Sequence, residues 1–211
     1  MKTIHIPVSP YYTNAYIYYD ESTLEAAVID PGGSADKLME TAKEHGLTIK
    51  YILLTHGHFD HIAAVNELKA LSGAFVAAFE GEGELLKNPD MNLSGIGMGK
   101  DLSITSDKLL KDGDFIEIGT GKLAVIHTPG HTSGGACYYD AENGILFSGD
   151  TLFKGTLGRY DLPTSDGATL FASIKNKLFT LPDDVKVLPG HEASTTIGCE
   201  KANNVMVGHG L

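Results

Sequence analysis

The chain has 211 residues, 42% hydrophobic and 20% charged, which argues against a disordered chain and suits one domain over 1–211 whose core needs no disulfide staples. Sixteen Lys and Arg against 27 Asp and Glu give a formal net charge of −11, which argues against nucleic acid or an anionic membrane as partner. Cys137 and Cys199 fit no CxxC spacing, no run approaches the ~18 apolar residues of a membrane span, and the N-terminus has no apolar signal core, so a cytoplasmic protein with neither disulfide framework nor thiolate zinc site is expected.

Strands are predicted at 15–19 (AYIYY) and 25–29 (EAAVI), around a polar turn at 20–23. A helix follows over 34–45 with Gly46 as its stop, then a buried strand at 50–54 (KYILL). The loop THGHF leads into a helix from about Asp60 to Leu71, with Ile62, Val65, Leu68 and Leu71 on its inward face and Asp60 suited to its N-terminus. Residues 74–78 read as a strand. From 81 to 107 periodicity disappears in a Gly-rich connection broken by Asn88-Pro89, of the length that functional walls and lids take. Strands return at 115–118, 122–127, 136–139 and 144–148, the last two joined by an Asn143-Gly144 hairpin signal. A helix is predicted over 167–180, with Leu170, Ile174 and Leu178 inward, and a last strand over 185–188. With little apolar substance after Glu200, the final segment is expected to be partly disordered.

The segments 15–33 and 136–150 share an order: aromatic strand, Tyr-Tyr-Asp, turn, apolar strand, then Asp and Gly. Either this is coincidence among generic hairpins, or the chain folds as two related halves of one αβ sandwich.

Chemistry concentrates at T-H-G-H-F-D-H, where His56, His58, Asp60 and His61 fall within six positions. On an extended loop His56 and His58 project the same way, whereas Asp60 and His61 in a first helical turn point elsewhere, so one loop offers two ligand pairs. Imidazole and carboxylate suit zinc, iron or manganese rather than calcium. His131 in TPGHTSGG, Asp150 in FSGDTLF and His191 in LPGHE each follow a predicted strand, where αβ folds keep their sites. The seven divide into His56, His58 and His131 for one metal and Asp60, His61 and His191 for another. Asp150 bridges, because a carboxylate has two oxygens whereas one imidazole cannot span two ions.

On these motifs, together with GRYDLP at 158–163 and LPGHEASTTIG at 188–198, the sequence resembles the metallo-β-lactamase superfamily, and within it the short glyoxalase II-like (hydroxyacylglutathione hydrolase-like) hydrolases. The resemblance runs from Asp30-Pro-Gly to about Glu200. It implies an α/β fold, an αββα sandwich of two pseudo-repeated halves, with a dinuclear site holding two divalent ions: zinc foremost, iron or manganese as alternatives. It implies metal-assisted hydrolysis of a small-molecule thioester or related ester by a metal-bridging hydroxide, with Asp60 and Asp150 as catalytic carboxylates. Asp30 resembles an acid that supports a ligand histidine from behind; a turn or capping role is nearly as well founded. Thr55 and Thr132 flank ligands and fix their loops. Arg159 either binds an anionic substrate tail or pairs with Asp161, the pair being favoured. His127 reads as structural, and Cys137 as packing.

Longer glyoxalase II proteins carry a C-terminal helical region that contacts glutathione, whereas 20 residues follow His191 here, so weak discrimination for glutathione is expected. The main rival is a persulfide dioxygenase of the same fold, with one iron on His56, His131 and Asp150; a complete second site including His191 favours the hydrolase. A lactonase, a nuclease and a β-lactamase rank lower.

Overall fold

The computed structural model describes residues 1–208. Its elements in chain order are β1 (Lys2–Val8), β2 (Thr13–Tyr19), β3 (Glu25–Ile29), α1 (Ala35–Glu44), β4 (Thr48–Leu54), α2 (Phe59–Ile62), α3 (Val65–Ser72), β5 (Phe75–Phe79), α4 (Gly83–Lys87), α5 (Ser94–Met98), β6 (Lys108–Leu110), β7 (Phe115–Ile118), β8 (Gly121–His127), β9 (Ala136–Asp140), β10 (Ile145–Gly149), β11 (Leu152–Phe153), β12 (Thr156–Leu157), α6 (Gly167–Asn176), β13 (Lys186–Pro189), β14 (Thr195–Thr196), α7 (Ile197–Asn203) and α8 (Val205–Gly208). β1 to β6 form one sheet in sequence order; β14-β13-β10-β9-β8-β7 form the second.

The central strands are buried on both faces, which is why they read as unbroken apolar runs. Along β2, Ala15 and Ile17 face the helices α1 and α3, while Tyr16 and Tyr18 enter the layer between the sheets. β3 divides likewise, Ala26 and Val28 outward, Ala27 and Ile29 inward. In β10, Phe147 joins the middle layer and Leu146 the third cluster, under α6 and α7. The result is four layers, helix, sheet, sheet, helix, the αββα sandwich that the resemblance implies. Each half is centred on an antiparallel hairpin, β2–β3 and β9–β10. The Tyr-Tyr-Asp echo has a local cause: Asp20 Oδ1 accepts from Ser22 N at 2.7 Å, and Asp140 Oδ1 from Glu142 N and Asn143 N at 3.0 Å, so each aspartate closes the turn of its hairpin.

Several expectations are corrected. The helix over 60–71 is broken. Ala64 N donates to Pro31 O at 2.9 Å, and the Asp60 carbonyl accepts from Thr13 Oγ1 at 2.8 Å, so both partners of one helical hydrogen bond are taken, by the β3–α1 connection and by the first residue of β2. The helix restarts at Val65, and Leu71, roughly 120° round from it, lies 51% exposed rather than inward. The helix over 167–180 stops at Asn176 and continues as a 3₁₀ turn over Leu178–Thr180. The connection 81–107 contains α4 and α5. β1 was not expected; it is an edge strand, so Pro7 is tolerated and only Ile6 and Val8 are buried. The segment expected to be partly disordered carries the end of α7 and, after Asn204, α8 as far as Gly208. Val207 is fully buried, and buried Glu200 accepts from Thr195 Oγ1 at 2.6 Å, from Gly155 N at 2.8 Å and from Asn204 Nδ2 at 2.8 Å. Residues 209–211 lie outside the described residues.

Candidate metal centre

Every predicted ligand follows a strand: β4 precedes His56–His61, β8 precedes His131, β10 precedes Asp150 and β13 precedes His191. β10 runs parallel to β13 and antiparallel to β9, which is antiparallel to β8, so β8, β10 and β13 deliver their carboxyl ends to one edge of the second sheet. The structure brings the seven residues together there. His56, His58 and His131 present ligand atoms within 4.8 Å of one another, and so do Asp60, His61 and His191. His58 Nδ1 and His131 Nε2 lie 2.9 Å apart; His61 Nε2 and His191 Nε2 lie 3.3 Å apart. Asp150 stands between the groups, its Oδ1 3.3 Å from His61 Nε2 and its Oδ2 3.7 Å from both His131 Nε2 and His191 Nε2. Asp60 Oδ2 is 3.1 Å from His191 Nε2.

Imidazole orientation is set from behind. Buried Asp30, at φ 49°, accepts from Thr55 N at 2.8 Å and Thr55 Oγ1 at 2.6 Å, and from His61 Nδ1 at 3.0 Å. The Thr55 oxygen can in turn accept from His56 Nδ1 at 3.1 Å, so one carboxylate orients a histidine in each group. The Arg159 carbonyl accepts from His131 Nδ1 at 2.7 Å. The Arg159 side chain pairs with Asp161 through Nε at 2.9 Å and Nη2 at 3.0 Å, as favoured from the sequence. Thr132 is buried. His127 stacks on Phe79 with ring centroids 4.0 Å apart, and Cys137 is buried on β9.

The electrostatics differ between the two groups. Burial, then neighbouring imidazoles, push His56 well below the ordinary histidine range, and push His58 down to about 3. Burial also opposes charge on His61, but the carboxylates of Asp150, Asp60 and Asp30 outweigh it and raise its pKa. Burial would raise Asp150; His61 overcomes this and holds it anionic. The His56, His58 and His131 group is therefore held neutral, the state in which imidazole ligates, whereas His61 and His191 favour their charged forms beside the ionised carboxylates and would release a proton on ligating a metal. Buried atoms His56 Nε2 and Asp150 Oδ1 have no hydrogen-bond partner among the described residues, as expected of groups that face a cation.

Sequence reasoning missed three residues that hold the ligand loops. Glu82 is buried at the start of the featureless 81–107 connection. Its Oε1 accepts from Gly57 N at 2.8 Å and its Oε2 from Gly134 N at 2.9 Å, joining the loop of His56 and His58 to the loop of His131. A Cβ at Gly57 would stand 2.6 Å from a δ-methyl of Leu85 and 2.9 Å from one of Leu86, so any larger residue there displaces those buried side chains. Asn14 Nδ2 donates to Pro189 O at 3.1 Å and Glu192 O at 2.8 Å, and Tyr16 Oη donates to Pro189 O at 2.7 Å, so both hold the His191 turn. Asn14 was visible as an amide inside an apolar run; Glu82 gave no signal.

The ligands open into a cavity of about 410 Å³, lined also by Phe59, Leu93, Phe153, Leu157, Leu162 and Arg159.

The sequence profile of the Metallo-beta-lactamase superfamily matches residues 8–191, and the chain belongs to that superfamily. It is 35% identical over 201 residues to hydroxyacylglutathione hydrolase GloC of Haemophilus influenzae, covering 94% of each chain. It is similar in structure to the BLEG-1 B3 metallo-beta-lactamase, with a TM-score of 0.92 and 39% identity over 98% of this chain and 99% of that one. It is also similar to TTHA1623 in a di-iron-bound form, with a TM-score of 0.85 and 35% identity over 96% and 98%. No helix among the described residues is long and apolar enough to cross a membrane.

Proposed function

We propose that this protein is a dinuclear metal-dependent hydrolase of small-molecule thioesters or related esters. The observation that carries the reading is the pair of three-donor groups with Asp150 between them, at the floor of one cavity. His56, His58 and His131 would hold one ion, Asp60, His61 and His191 the other, and Asp150 both. Zinc suits these nitrogen and oxygen donors; iron is the alternative, as the di-iron-bound form of the similar TTHA1623 illustrates. When bound, two such ions supply a hydroxide nucleophile near neutral pH and a Lewis acid for the substrate carbonyl. The chain's own part is to orient the imidazoles, through Asp30, Thr55 and the Arg159 carbonyl, and to hold an ionised carboxylate, Asp60, at the cavity surface where it can accept a proton. A thioester suits this arrangement because thiolate leaves without prior protonation.

The name of the H. influenzae relative gives a glutathione thioester as a starting substrate. Arg159 is the one arginine or lysine lining the cavity among the described residues, and Asp161 engages two of its nitrogens. Glutathione, with two carboxylates, is therefore expected to be accepted without strong preference. The test compares kcat/KM for one acyl group on glutathione, on a smaller thiol and on coenzyme A, with a β-lactam and oxygen uptake on glutathione persulfide as controls. Expected are zinc-supported thioester cleavage without oxygen uptake and less than about a tenfold advantage for glutathione, ~1.4 kcal/mol. Exclusive β-lactam turnover, or oxygen uptake on the persulfide, would overturn the reading.

A further inference from the structure

The cavity wall includes a residue in a conformation its side chain disfavours. Leu93 has φ 65° and ψ 13°, the left-handed region in which any Cβ is crowded and glycine is at ease. The conformation is held on all sides. Asn92 is fully buried; its Oδ1 accepts from Ser94 N at 3.0 Å and its Nδ2 donates to Leu102 O at 2.8 Å. The Asn92 carbonyl accepts from Phe59 N at 2.9 Å, Ser94 Oγ accepts from Leu102 N at 2.9 Å, and the Leu93 carbonyl accepts from Gly97 N at 2.8 Å. The segment is seated on Phe59: a Cβ at Gly97 would overlap that ring, Tyr11 packs edge-on to it at 4.8 Å, and the Tyr11 hydroxyl donates to Gly97 O at 3.3 Å. Glycines stand at 95, 97 and 99 of the same segment, yet the left-handed position at 93 carries a leucine whose side chain lines the cavity beside Phe59, His58 and Asp60. Left-handed non-glycine residues occur elsewhere in the chain, Leu24 in the β2–β3 turn among them, but Leu93 combines that conformation with a place on the cavity wall, and retained backbone strain clusters at functional sites.

We propose that Leu93 is the specificity-determining residue for the acyl group. Leu93 and Phe59 form an apolar wall beside the metal ligands, along which a straight, uncharged aliphatic acyl chain lies. The substrate class is therefore the thioester of an aliphatic acid rather than of a charged or sugar-like one. The hydrolytic part of this statement rests on the function proposed above; the wall does not, and the test separates them.

The experiment uses the zinc-loaded full-length protein, Leu93→Ala and Leu93→Gly. The first measurement is calorimetric affinity for the straight-chain carboxylates from acetate to hexanoate. A methylene laid on an apolar wall improves binding about fourfold, ~0.8 kcal/mol. The wild type is expected to approach that gain, and both variants to lose at least half of it per methylene while binding acetate within twofold of wild type. The second is the denaturant midpoint, expected to be higher for Leu93→Gly than for Leu93→Ala, because only glycine relieves the left-handed strain. The third is kcat/KM for the matching acyl thioesters, with the same flattening expected. A flat or unbound wild-type carboxylate series, or variants with the wild-type slope, overturns the inference even if thioesters are cleaved. A Leu93-dependent slope without any thioester cleavage upholds the wall and overturns the hydrolase reading. A midpoint for Leu93→Ala at or above that of Leu93→Gly overturns the strain argument.

Discussion

Asp150 contacts both ligand groups, whereas His61 belongs to one. Removing the carboxylate is expected to weaken metal retention at both positions together, because neither group keeps its shared oxygen donor. His61→Ala is expected to leave the His56, His58 and His131 set intact and to reduce the content from about two ions to about one. Metal analysis after dialysis against metal-free buffer distinguishes the cases; equal and complete loss in both variants would argue against a shared carboxylate. Asp30 shows how much one residue can organise. Its two oxygens serve Thr55 and His61, and through Thr55 the ring of His56.

Among the elements, the 3₁₀ turn Glu80–Glu82 and the α4 helix that follows it act as a strap across the ligand loops. Burial pushes the Glu82 carboxyl up, while the Gly57 and Gly134 amides partly offset this by hydrogen bonding to its charged form. Glu82→Ala would leave two buried amide donors without their acceptor, each costing about 1–3 kcal/mol. Chemical denaturation should show a loss of that order, and Glu82→Gln, which keeps an acceptor for one amide, a smaller one. Metal affinity should fall more at the His56, His58 and His131 group than at the other, because the strapped loops carry those ligands. A variant that binds both metals normally would reduce Glu82 to a packing residue. The break between α2 and α3 belongs to this scale too: it exists because Thr13 and Pro31 take the helical hydrogen-bonding groups of Asp60 and Ala64, and it sets Asp60 and His61 in a separate short turn.

For the molecule as a whole, the two halves are fastened through aspartates at the hairpin ends. Asp20 Oδ2 accepts from Thr120 N at 2.6 Å and Thr120 Oγ1 at 2.7 Å, reaching from the first sheet to the β7–β8 turn of the second; in return Tyr18 Oη donates to Asp140 Oδ2 at 2.7 Å. The hydrogen bonds of Thr120 and Ser22 hold the Asp20 carboxyl well below the usual carboxylate range. A carboxylate whose folded pKa is depressed contributes stability above its unfolded pKa of about 3.9, and that contribution is lost as pH falls through the folded value. Asp20→Asn should therefore be less stable than wild type at pH 7, with the difference shrinking below about pH 4. Thermal melts across pH 7 to 3 measure it, and a constant difference would show that charge is not the cause.

The sequence by itself determined which residue types can ligate a metal and most of the layering. Strands buried on both faces must be continuously apolar, so the central strands were legible. The ligand types and their grouping were legible because most of the set is packed into one strand-loop-helix passage and the rest recur at strand ends. Only the tertiary structure decided what depends on partners distant in sequence. The helix after Asp60 is broken by hydrogen bonds to Thr13 and Pro31, and Glu82 draws its role from amides 25 and 52 positions away. Leu93 draws its backbone conformation from Asn92, Ser94, Leu102 and Phe59. Periodicity and propensity register what a residue does to its own turn of chain. A carboxylate clamped between two loops, or a leucine held left-handed against a cavity, is fixed by groups that meet only after folding.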